Sequence, residues 1–224
     1  MKFSKDYVLF CHITTQIPGE KYGNLLSEKG GRGFPHLVFM DDEGSVLAEH
    51  KGDRTAEGFS KTGQKAKDYL ALKAKAAKGD KIARIDFVIA QLVVGKLRSD
   101  EAAKQMAGLG KPTPAQQAKF DAELVNASVL ETVKGIESDE LSKAAGKKFY
   151  GLFCAGKPGP TSEEAIQPYY ILMLNAAEEA KDPKTFEAAL GKLKEKFGNL
   201  PQAKAFFTKN EKRLEDLKSG NEKK

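Results

Sequence analysis

The chain has 224 residues, of which 40% are apolar and 30% charged, ordinary proportions for a globular protein long enough to bury a real core. No apolar run approaches the roughly 20 residues that a membrane-spanning helix needs. The net charge of +6 is spread over helix faces carrying both signs, as from Lys192 to Lys196, which argues against a dedicated nucleic-acid footprint and leaves at most weak binding through a basic surface.

The start, Met1 to Asp6, is too polar for a secretory signal peptide. That places the chain as given in the cytoplasm, or outside it if a leader has been removed. Tyr7 to Ile13 is nearly continuously apolar, β-branched and aromatic, the pattern of a strand buried on both faces. A loop from Thr14 to Gly19 follows, then a short helix from Lys21 to Glu28 ending at Gly30-Gly31. His36 to Met40 and Ser45 to His50 read as two strands around the hairpin turn Asp41-Asp42-Glu43-Gly44. Thr55 is positioned to cap a helix beginning at Ala56.

From there the pattern is helical to the end. Lys61 to Ala77 continues or abuts that helix, and Gly79-Asp80 breaks it. In Lys81 to Val94, residues Ile82, Ile85, Ile89, Leu92 and Val93 fall at helical spacing and predict one apolar face. Ser99 predicts a cap for a helix starting at Asp100, and a further helix spans about Ala115 to Val133. Ser138 opens the next, which runs to about Cys154, and Lys157 to Pro160 is the most linker-like break. Thr161 or Ser162 caps a helix to Ala180, with Pro168 as an internal kink or late start. Asp182-Pro183 is a cap followed by a first-turn proline, leading into Thr185 to Phe197 and then Gln202 to Leu217. The tail from Lys218 is expected to be disordered.

Amphipathic helices joined by short turns predict antiparallel hairpins. The small residues Ala176, Ala177, Ala188 and Ala189 around Asp182-Pro183 resemble tetratricopeptide packing, although no clean period of about 34 residues is present.

The stretch from Gly33 through Phe34, Pro35 and His36 to Gly52 resembles the C-terminal half of a thioredoxin-like domain. Members of that family carry a cis-proline here, then a strand, an acidic-Gly hairpin, a second strand and a glycine before the last helix. Phe34-Pro35 matches the cis-proline position and Gly52 the later glycine, and the match spans about residues 6 to 62. The resemblance implies a partial thioredoxin-like sheet of about three strands over residues 1–62, and the helical pattern an antiparallel helical-hairpin array over 63–224 with a sub-boundary near 157–160, so the expected fold is α/β plus all-α. It also implies that Phe34, Pro35 and His36 form a loop able to offer backbone groups to a peptide or partner.

The family's redox unit is missing. Thiol–disulfide exchange requires an activated cysteine with a resolving cysteine nearby, and the only cysteines, Cys11 and Cys154, lie far apart. Both are flanked by apolar residues, which predicts two buried free thiols. The histidines are His12, His36 and His50. Strand pairing could bring His36 and His50 onto neighbouring strands, but a tetrahedral metal site needs about four ligands. Gly30-Gly31-Arg32-Gly33 lacks the Lys-Ser/Thr of a phosphate loop. Tyr169, Tyr170, Met173 and Leu174 read as core.

The expectation is a non-catalytic thioredoxin-like and helical subunit, without cofactor or metal, whose partner is another protein or a second copy covering an open sheet edge. The alternative is a thiol-redox protein of the same family, using Cys11 alone as a reactive thiol or lacking its active-site half in this sequence.

Overall fold

A computed structural model describes residues 7–13, 19, 21–31 and 33–221. Residues 14–18 of the loop expected from Thr14 to Gly19, Glu20, Arg32, and the ends at 1–6 and 222–224 lie outside these described residues. The chain divides into two compact units, 1–96 and 97–224, and the expected boundary at residue 62 falls inside a long helix of the first.

In the first unit, a single turn of helix α1 (Leu25–Glu28) precedes β1 (Val38–Met40) and β2 (Val46–Glu49), followed by α2 (Ala56–Ala77) and α3 (Lys81–Val93). The two strands pair antiparallel, with Phe39 opposite Ala48 and an irregularity between Phe39 and Met40. Their turn is fastened where Asp41 Oδ1 accepts from the Ser45 N–H at 2.7 Å, and Gly44 takes φ +75°, a conformation costly for other residues. Thr55 Oγ1 accepts from the Gly58 N–H at 3.1 Å, the expected cap of α2. Asp80 does the same for α3 through the Ala83 N–H at 3.0 Å.

The core of this unit joins Leu47 and Ala48 of β2 to Ala66 and Tyr69 of α2, with Phe39 and Phe87 packed against them. The inward stripe of α3 is Ile85, Val88, Ile89 and Leu92. Ile82 and Val93, expected on the same face, are exposed because they lie on one flank of that stripe.

The three-strand expectation fails at its first strand. Tyr7 to Ile13 has no regular secondary structure, and Val8 is 97% exposed and Phe10 64% exposed. A continuous apolar run is compatible with a doubly buried strand, but only where two layers exist to cover it. Here the sheet has two strands among the described residues.

The second unit is all helix: α4 (Ser99–Ala107), α5 (Pro114–Lys134), α6 (Asp139–Cys154), α7 (Glu163–Glu179), α8 (Pro183–Phe197), a 3-10 turn (Pro201–Ala203) and α9 (Lys204–Asn221). The last helix thus continues through residues 218–221, where disorder was expected. Starts follow local chemistry. Thr113 and Gln116 form a capping box at α5, Ser138 caps α6, and Asp182 with Pro183 opens α8. Ser99 is not the cap of α4: it is the first helical residue, and Glu101 reaches back to the Arg98 N–H at 3.0 Å.

Helices α6, α7 and α8 pack in sequence around Phe149, Tyr169, Met173, Leu174, Phe186 and Leu190. Each large side chain removed from water there contributes about 2 kcal/mol. Tyr169 and Tyr170 are core, as their spacing predicts. Burial, with smaller contributions from Tyr170 and Cys154, pushes the Tyr169 hydroxyl up to about 12. The break at 157–160 lies within this unit, with Pro160 buried and Gly159 against Tyr170; a Cβ on Gly159 would stand 2.7 Å from Tyr170 Oη. Ala176, Ala177 and Ala189 are buried in the hairpins, whereas Ala188 is exposed.

Candidate functional site

The loop at Phe34, Pro35 and His36 is built from its flanks. Gly30 ends the first helical turn at φ +86°, and Gly31 is buried beneath His36. A Cβ at Gly31 would come within 2.3 Å of Leu26 Cδ1 and 2.9 Å of the His36 ring, so any larger residue there requires those side chains to shift. Lys29 then ties the turn to the hairpin by donating from Nζ to the Gly44 carbonyl at 2.7 Å. His36 Nε2 donates to the Lys29 carbonyl at 3.0 Å, which leaves Nδ1 facing Glu49 Oε1 at 3.6 Å. The Phe34–Pro35 peptide bond is cis.

The three residues therefore play different parts. His36 is pinned, with only 11% of its side chain exposed. Phe34, at 70% exposure, and Pro35 are presented to solvent. The surface the loop offers is an aromatic ring and a proline, with His36 as its anchor.

Cys11 belongs to the irregular 7–13 segment, and no hydrogen bond or ring contact joins it to that loop among the described residues. It is exposed, and so is Cys154; the expectation of two buried thiols fails for both. At Cys154 the reason is position: it is the last residue of α6, beside Thr185, with Sγ to Oγ1 at 4.0 Å. Its neighbour Tyr150 donates to Asp182 Oδ2 at 3.0 Å, and burial followed by this bond pushes the phenol up to about 12.

The strand-end histidines are engaged structurally. His50 is buried and stacks on Phe59 with ring centres 4.2 Å apart. Its Nδ1 lies 2.8 Å from Thr62 Oγ1 and its Nε2 lies 3.2 Å from the Asp53 carbonyl, so both ring nitrogens already have partners. A metal would have to displace one of them. His12 Nε2 is shielded from solvent without a hydrogen-bond partner among the described residues. Among the described residues no group of three His, Cys, Asp or Glu side chains is placed to hold a metal ion, and no helix is long and apolar enough to cross a membrane.

The feature that sequence reasoning missed is the apolar surface of the first unit. Val8, Leu9, Phe10, Ile13, Tyr22 and Phe34 are all exposed. Tyr7, at the head of the run, packs edge-on against Phe39 of β1 at 5.1 Å and lies beneath the Lys67 ammonium. β1 has a single neighbour, β2, so its outer edge carries no strand among the described residues. The signal was present in the composition of Tyr7 to Ile13, but the same letters serve a buried strand and an uncovered one.

Surface depressions lie among the described residues of the second unit. One, of about 270 Å³, lies between α6 and α7 and includes Lys143, Asn175, Glu178 and Glu179. Another, of about 440 Å³, is an apolar groove bounded by Val133, Ile136, Pro168, Ile171 and Leu172.

No family model matches the chain, and no curated protein or solved structure matches it either.

Proposed function

We propose that the first unit is a non-catalytic, thioredoxin-like interaction module and that the whole chain acts as an assembly subunit through protein–protein contact. One observation carries the reading: Val8, Leu9 and Phe10 stand in solvent in succession, with Ile13 exposed three residues on, next to a tyrosine anchored on an edge strand. Isolated exposed apolar residues are common, but a contiguous run is the usual mark of a surface that another polypeptide covers. The open side of β1 suits strand addition, and Phe34 and Pro35 add an aromatic contact from a second loop.

Sedimentation velocity of the full chain across a wide concentration range tests this, together with crosslinking in its native cell extract. The expected result is self-association or a crosslinked partner, reduced by Val8→Asp with Phe10→Asp while the unfolding midpoint is unchanged. A chain that stays monomeric at every concentration and yields the same crosslinks with and without the double substitution overturns it.

The exposure of Cys11 favours a second reading, a thiol-redox protein working through one cysteine. Reduction of insulin disulfides abolished by Cys11→Ser would establish that reading in place of the first.

A further inference from the structure

We draw no further inference here: the strongest candidate, the apolar groove between α5 and α7 lined by Val133, Ile136, Pro168, Ile171 and Leu172, is an unpartnered face, and nothing in the structure shows what covers it.

Discussion

Asn126, in the middle of α5, caps the start of α7 across the helical unit: its Oδ1 accepts from the Thr161 N–H at 2.8 Å and the Ser162 N–H at 3.1 Å. Its Nδ2 donates to Thr161 Oγ1 and to Glu123 Oε2, both at 3.1 Å. Ser162 occupies the N-cap position but makes no capping bond of its own, so a residue 36 positions earlier supplies what the local sequence does not. Glu131, further along α5, does the same for α4, accepting from the Ser99 N–H and Oγ–H at 2.7 Å each.

Replacing Asn126 with alanine should therefore cost about 0.5–2 kcal/mol, because the part-buried N–H groups of Thr161 and Ser162 at the start of α7 lose their acceptor. Urea unfolding followed by circular dichroism measures the change. A loss no larger than that of a surface alanine substitution would show that water replaces the side chain.

Two glycines of α6 should respond in opposite directions to alanine. At Gly146 the added Cβ would lie 2.7 Å from the Leu172 carbonyl oxygen and 3.5 Å from Ala176 Cβ, both on α7. Backbone must give way there, and Gly146→Ala should destabilise by about 1–3 kcal/mol despite the better helix propensity. At Gly151 nothing lies within 4 Å, so Gly151→Ala should stabilise by about 0.5–1 kcal/mol. Comparing the two midpoints in one thermal melt series decides the matter.

Acid should weaken the second unit through Glu178. The hydrogen bond from Arg213 holds this carboxyl below its ordinary value of 4.5, against an opposing effect of burial. Arg213 binds it from Nε at 3.0 Å and also from Nη2, while Asn210 and the Phe186 ring hold the guanidinium in place. A carboxyl lowered by folding contributes stability that is complete above pH 4.5 and lost as pH falls through its folded value. Glu178 is 42% exposed, so solvent screening limits the effect to about 1 kcal/mol or less. Asp182, also lowered because its hydrogen bonds from Thr185, Tyr150 and Lys184 outweigh burial, acts in the same direction. Denaturant midpoints at pH 3 and pH 7 should differ less in Glu178→Gln than in the parent protein.

Both thiols should react with a water-soluble disulfide reagent in the folded protein, since Cys11 and Cys154 are exposed. Cys11→Ser should leave a single reacting thiol and the unfolding midpoint unchanged. A thiol that reacts only after denaturant is added would contradict the exposure of its residue.

Much of the helical architecture was legible in the sequence because its determinants are local. Thr55, Thr113, Ser138 and Asp182 each cap a backbone N–H within three residues of themselves, and the apolar spacing of Ile85, Ile89 and Leu92 orients a helix without reference to the rest of the chain. The hairpin around Gly44 is legible for the same reason. Tertiary structure decided what depends on distant neighbours. Asn126 and Glu131 serve helix ends more than 30 residues away, and no spacing rule announces such pairs. Tyr7 to Ile13 carries a strand-like composition, yet burial requires a second covering layer, and the described residues provide none for Val8. The candidate loop divides along this line too: the Leu26 and His36 side chains close over Gly31, a contact that exists only once the chain has folded.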